Sequence, residues 1–140
     1  MNKRCRILAT LGVLAAARAG AGDLVVAVHD VRSGEGQVKL MLFDREEGFR
    51  KEDKARQVLA LPAAPGTVKG LFPNLPAGRY AVIAYHDENG NGKLDLRFGM
   101  FPIEGHGLSN NPKLSGPPKF KDAVFEVTET NHQADIRLDY

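Results

Sequence analysis

The feature that most limits what this chain can become is a series of short apolar runs, each broken by turn residues, from Leu24 onward. Gln37-Val38-Lys39-Leu40-Met41-Leu42-Phe43 places Val38, Leu40 and Leu42 on one side and Lys39 and Met41 on the other. A period of two over this length predicts a half-buried strand. The C-terminal residues repeat the pattern, with Ala134, Ile136, Leu138 and Tyr140 alternating against Asp135, Arg137 and Asp139. Arg79-Tyr80-Ala81-Val82-Ile83-Ala84-Tyr85-His86 has the aromatic and β-branched content of a strand. Residues 24–28, 57–61, 66–72 and 123–127 complete a set of about seven strands. Turn chemistry separates them at Ser33-Gly34-Glu35-Gly36, between Pro62 and Pro65, and at Pro73-Asn74-Leu75-Pro76-Ala77-Gly78. Residues 44–54 are dense in charge and predict a loop with one helical turn, anchored by Phe49. Residues 87–119 read as one long irregular stretch. With no convincing helix, repeat or linker, the pattern predicts an all-β chain: a single Ig-like/transthyretin-like β-sandwich of about seven strands with Greek-key connections.

Residues 1–21 stand apart from that pattern. Lys3, Arg4 and Arg6 precede an uncharged apolar run over residues 7–17, and small residues follow to Gly22. These are the three parts of a secretory signal. Two cleavage frames fit, after Ala19 or after Ala21. The run is far short of the roughly 20 residues of a spanning helix. The expected organisation is therefore a signal peptide at 1–21 and a β-sandwich domain at 22–140, periplasmic or secreted, with no transmembrane segment after cleavage.

Cleavage would reverse the charge. The chain has 19 Lys+Arg and 17 Asp+Glu; without Lys3, Arg4, Arg6 and Arg18, 15 basic residues face 17 acidic ones. The basicity of the full chain is thus a property of the leader, which argues against a nucleic-acid partner. The single cysteine, Cys5, precedes the apolar run instead of standing at the cleavage point, so it does not suit a lipid anchor. The remaining domain has no disulfide and must be held by burial, alone or with a metal.

Asp87-Glu88-Asn89-Gly90-Asn91-Gly92-Lys93-Leu94-Asp95 is the most specific chemical pattern. Oxygen side chains occupy its first, third and fifth positions, glycine the sixth and a carboxylate the ninth. Calcium takes six to eight oxygens, and alternate side chains of a tight loop can converge on one point. Asp87, Asn89, Asn91 and Asp95 supply side-chain oxygens, Lys93 its carbonyl, and Glu104 is the nearest source of a further carboxylate. The twelfth position is Phe98 instead of the bidentate Glu of an EF-hand. The expected affinity is weak, on the order of 10⁻⁴–10⁻³ M. The alternative is a plain turn, since Asn-Gly pairs favour tight turns.

The remaining polar groups are less specific. His29, His86, His106 and His132 lack paired zinc spacing, and Ser109 lacks a nucleophile elbow. Glu104 with His86 or His106 is the candidate acid–base couple. Phe98, Met100 and Phe101 are expected to cover the open end of the sandwich. A chain with no Trp and only three Tyr lacks the usual sugar-stacking surface.

Leu75-Pro76-Ala77-Gly78-Arg79-Tyr80-Ala81-Val82 resembles the strand entry of transthyretin-like and carboxypeptidase-regulatory-like sandwiches. Together with the Asp87 loop and Glu104-Gly105-His106-Gly107-Leu108-Ser109-Asn110-Asn111, the chain resembles the bacterial domain-of-unknown-function 2141 family over residues 24–140. The resemblance implies an exported β-sandwich and brings no activity. His106 and Leu108 stand where that family usually shows an aromatic pair, which argues against stacking in this loop. The leading expectation is a binding or structural module for an extracytoplasmic ligand or protein, with no assigned catalytic residue. The competing expectation is a small metal-dependent or hydrolase-like enzyme using His86, Glu104 and His106, which must then converge in a concave pocket.

Overall fold

A computed structural model describes residues 20–140; the expected signal segment, up to residue 19, lies outside the described residues. The strands are β1 (Ala21–Val31), β2 (Gln37–Phe43), β3 (Gln57–Pro62), β4 (Gly66–Pro76), β5 (Gly78–Asp87), β6 (Leu96–Arg97), β7 (Phe101–Pro102), β8 (His106–Leu108), β9 (Phe125–Val127) and β10 (His132–Arg137). A 3₁₀ turn at Glu52–Lys54 and one helical turn, α1 (Phe120–Ala123), complete the elements. The all-β expectation holds, with three short strands, β6, β7 and β8, beyond the seven read from the sequence, and with β1, β4 and β5 longer than expected.

Two sheets form the body. One has the order β10-β1-β4, with β1 parallel to β10 and antiparallel to β4. The other has the order β3-β2-β5-β8, and β9 pairs with the start of β5. The chain changes sheet between β1 and β2, β3 and β4, β4 and β5, and β9 and β10. Leu24, Val26, Val28, Phe72 and Ile136 of the first sheet meet Val38, Leu40, Leu42, Val82 and Ala84 of the second in one core. This is the packing of a β-sandwich, in which the inward residues of both sheets interdigitate.

The second sheet has no solvent-facing side at β2, contrary to the half-buried expectation. Met41 and Phe43 are buried with Ala81, Ile83, Tyr85, Leu108, Phe120 and Ala123 in a second apolar cluster. Phe49 anchors the 44–56 connection as expected, with ring contacts of 5.1 Å to Phe43 and 5.8 Å to Phe120. α1 and Leu94 cover the rest of this face. The pattern Lys39, Met41, Phe43 was two-thirds apolar, and the loops that bury it are distant in sequence.

Other boundaries also move. β4 runs through the turn expected at 73–78, and the strand expected from Ala123 begins at Phe125 because Phe120–Ala123 closes a helical turn. The stretch expected to be irregular holds β6, β7 and β8. Among the described residues no helix is long and apolar enough to cross a membrane.

Candidate functional site

β5 ends at Asp87, and its period of two decides what the end of the strand can do. His86 points to the inter-sheet side and Asp87 to the outer side, with Tyr85. Asp87 is fully buried. Its Oδ1 accepts the N–H of Asn91 at 3.1 Å, and its Oδ2 accepts the N–H of Gly92 at 2.8 Å. The Gln37 amide also donates to Oδ2, at 3.1 Å. The β1–β2 turn closes on the same place: Gly36 has φ +67°, and a side chain there would strike the Asp87 carbonyl. Glycine is the one residue that satisfies both demands.

The rest of the loop converges on Asp95. Asn89 donates its amide to Asp95 Oδ2 at 2.6 Å, and Asn91 donates to both Asp95 oxygens at 2.8 and 2.9 Å. Those bonds hold the Asp95 carboxyl below the usual carboxylate range. The amide oxygens face the backbone instead, Asn89 Oδ1 accepting from Asn91 N–H and Asn91 Oδ1 from Lys93 N–H. Glu104 Oε2 accepts the N–H of Asp95 at 3.1 Å. Only 6% of Glu104 is exposed. Burial pushes its carboxyl above the usual range, and the negative charges of Asp95 and Asp87 add to this.

Of the residues named from the sequence, Asn89, Asn91 and Asp95 bond to one another, Asp87 accepts the Asn91 N–H, Glu104 accepts the Asp95 N–H, and Lys93 takes part through its N–H, donated to Asn91 Oδ1. Among the described residues no three His, Cys, Asp or Glu side chains stand ready-made as a metal cluster. Cation binding would require the Asn89 and Asn91 amides to turn their oxygens inward, a rotation that exchanges N and O at little steric cost.

Lys39 is the residue that sequence reasoning missed. Its Nζ donates to the Gly92 carbonyl at 2.8 Å and pairs with Glu52 at 2.6 Å. Tyr85 O–H donates to the same carbonyl at 3.1 Å. Burial would lower the Lys39 pKa, but the Glu52 hydrogen bond and Tyr85 outweigh it and the net shift is upward. Lys39 therefore ties the Asp87 loop to the 44–56 connection across the outer face of the sheet. Its apolar neighbours at Met41 and Phe43 were the available signal.

The proposed acid–base residues are not brought together. His86 is fully buried. Its Nε2 lies 2.7 Å from the Glu35 carbonyl, so that nitrogen donates; Nδ1 then accepts from Tyr140 O–H at 2.9 Å. His106 pairs with Tyr85 across β8 and β5, which puts it on the opposite face from His86. Its Nδ1 reaches only the main-chain oxygen of Glu104, at 3.3 Å. Neither the hollow lined by Ala77, Arg79 and Glu129 nor that lined by Arg45, Lys51 and Lys54 includes these three residues. Ser109 is structural: its hydroxyl donates to the Ala123 carbonyl and accepts from Val82 N–H. The remaining histidines lie elsewhere, His29 bridging Thr67 and Asp135 on the outer face of the first sheet and His132 stacked on Phe125.

Phe98 and Met100 do not cover the end of the sandwich, as the sequence reading expected. They project into solvent on a hairpin made by β6 and β7, a two-stranded ribbon apart from both sheets. Its base joins the Asp87 loop, where Ile103 N–H donates to the Asp95 carbonyl.

Residues 26–135 match the family model described as "Uncharacterized protein conserved in bacteria (DUF2141)". No curated protein matches the chain, and no solved structure does.

Proposed function

The chain belongs to this bacterial family, domain of unknown function 2141, and from that premise we propose that it is an exported binding or structural module whose Asp87 loop is stabilised by calcium. The observation that carries the calcium reading is the position of Glu104. Its buried carboxyl comes from outside the loop and accepts the Asp95 N–H, which sets it against the Asp95, Asn89 and Asn91 cluster, where burial and the charges of Asp95 and Asp87 raise its pKa. Like charges held together in a partly buried place oppose ionisation. A hard cation removes that opposition and takes carboxylate, amide and carbonyl oxygens as ligands. The Lys93 carbonyl is a further donor in this reading.

A cation that binds only the folded chain stabilises it by RT ln(1 + [L]/Kd), about 2.7 kcal/mol at a hundredfold excess over Kd. Millimolar calcium should therefore raise the melting temperature by several degrees over chelator. Asp95→Ala should remove that response. Asp95 is the apt position because it is only half-buried, whereas Asp87 is fully buried and its loss would disturb folding itself. Identical melting curves in chelator and in about 10 mM calcium, above the weak range for such loops, would leave the segment as a turn.

The export reading is supported by the tripartite start of the sequence. It also specifies an end: Ala21 pairs with Pro76 and Gly22 with Leu75. Cleavage after Ala19 keeps that whole strand, while cleavage after Ala21 removes its first rung. Mass spectrometry of the natively exported protein should find Gly20 at the N-terminus. Recovery of intact Met1 outside the cytoplasm would contradict export.

A further inference from the structure

The β6–β7 hairpin concentrates exposed apolar surface. Phe98 is 84% exposed, Met100 69%, Ile103 52% and Leu96 44%. Surface of this kind gathered on one projection marks an interaction site more than scattered exposed side chains do. The turn is also unfavourable for the residue it carries. Met100 N–H donates to the Arg97 carbonyl at 3.2 Å, so Phe98 and Gly99 are the two central residues. Both have positive φ, +55° and +68°. Hairpin turns of that hand favour Asn-Gly, and a bulky residue at the first centre is disfavoured. Phe98 thus stands in a strained backbone position with its ring in water, and neither feature helps the fold.

We propose that this hairpin is a lipid-contact element that seats its tip in the interfacial layer of an anionic bilayer. The inference names a partner for the exported binding module and is independent of the calcium reading. Three observations favour lipid over a protein pocket. First, the register pairs Leu96 with Pro102 and Arg97 with Phe101, so Leu96 and Ile103 lie on opposite faces of the ribbon. Each face thus carries an apolar residue, Ile103 sharing its face with Arg97 and Asp95, and such two-sided exposure suits a medium that surrounds the element more than a one-sided groove. Second, the hairpin extends three residues beyond the Asp95 and Ile103 rung, about 10 Å. That is the depth to which interfacial elements sink, roughly 5–10 Å. Third, its charges suit anionic headgroups. Arg97 lies on the hairpin and Lys93 precedes it, while the single acid between them, Asp95, is engaged by the Asn89 and Asn91 amides. An arginine stem can lie along acyl chains with its head at the phosphates.

The test is co-sedimentation of the chain lacking its signal segment with vesicles of phosphatidylglycerol and phosphatidylcholine, in chelator. The wild type should sediment with them, and less with phosphatidylcholine alone. Phe98→Asn converts the turn to its favoured Asn-Gly form, so a loss of binding cannot be a loss of the hairpin. It should weaken partitioning roughly tenfold or more, the loss of one buried aromatic ring. Arg97→Gln should weaken it about fivefold on the anionic vesicles. Leu114→Asn, at an exposed leucine outside the hairpin, should change nothing. The proposal is overturned if the wild type stays in solution at about 1 mM lipid, in the usual range for weak interfacial binding, or if Phe98→Asn sediments like the wild type. It is equally overturned if light scattering shows a wild-type dimer that Phe98→Asn dissociates while vesicles bind neither protein, because the hairpin would then be a contact between copies of this chain.

Discussion

In the 87–95 loop, Asp87, Asn89, Asn91 and Asp95 bond to one another and to the backbone, whereas a few residues later Phe98 and Met100 face solvent across a strained turn. The two segments share a base at Asp95 and Ile103. They differ in what holds them. The loop is fastened to the body by a buried carboxylate, by Lys39 and by Tyr85. The hairpin is held by its own short ladder. Hydrogen-bonded polar groups at a buried position resist opening, while an element with few buried contacts opens at low free energy. The loop is therefore the part whose alteration should reach the whole fold, and the hairpin the part that can be rebuilt without consequence for it.

The sharpest way to break this contrast is at Asp87. Asp87→Ala leaves the Gly92 N–H and the Gln37 amide without this acceptor and the Asn91 N–H with Asn89 Oδ1 alone. Unsatisfied groups of this kind cost about 1–3 kcal/mol each when they stay buried. Urea unfolding in chelator should show a loss of about 2–4 kcal/mol, in the range of a disrupted buried network. A loss under about 0.5 kcal/mol, the usual size of a surface change, would mean that the loop is not fastened there.

A smaller effect of opposite sign is expected at Glu104. Its folded pKa is raised above the unfolded value, so ionisation opposes folding. The contribution is fully favourable below the ordinary carboxylate range and is lost as pH rises through the raised pKa. In chelator, Glu104→Gln should match the wild type at acid pH and exceed it toward neutral pH, by less than about 1.5 kcal/mol. In calcium the order should reverse, because the variant has given up a ligand. Melting curves across pH 4–7, with and without calcium, separate the two. A constant difference across pH would show that Glu104 does not titrate against folding.

The same contrast explains what the sequence disclosed. The strands at 37–43 and 79–86 were legible because alternation and β-branched content are local properties, and the structure places strands at Gln37–Phe43 and Gly78–Asp87. The gathering of Asp87, Asn89, Asn91 and Asp95 was legible because the loop is short and alternate residues must face each other. Burial of Lys39 was not, since the residues that reach it from outside its sheet, Glu52 and Gly92, come from two separate connections. The separation of His86 from His106 depended on pairing across β5 and β8, which no local pattern encodes. Phe98 was misassigned for a related reason. Apolar residues in a chain are ordinarily buried, and only the tertiary arrangement shows that the described residues leave Phe98 and Met100 mostly exposed.

The smallest expected effect is therefore the most informative about the hairpin. Phe98→Asn exchanges an exposed ring in a left-handed conformation for a residue that tolerates that conformation. If the ring truly makes no contact with the body, global stability should stay within about 0.5 kcal/mol of the wild type. Relief of the strained turn, of order 1 kcal/mol or somewhat more, should appear locally instead. The Met100 N–H bonds to the Arg97 carbonyl and exchanges when the turn opens. Its hydrogen-exchange rate should fall roughly fivefold, the factor that 1 kcal/mol implies. A clear loss of global stability would show that Phe98 packs on the sandwich, and the difference between the fastened loop and the free hairpin would disappear.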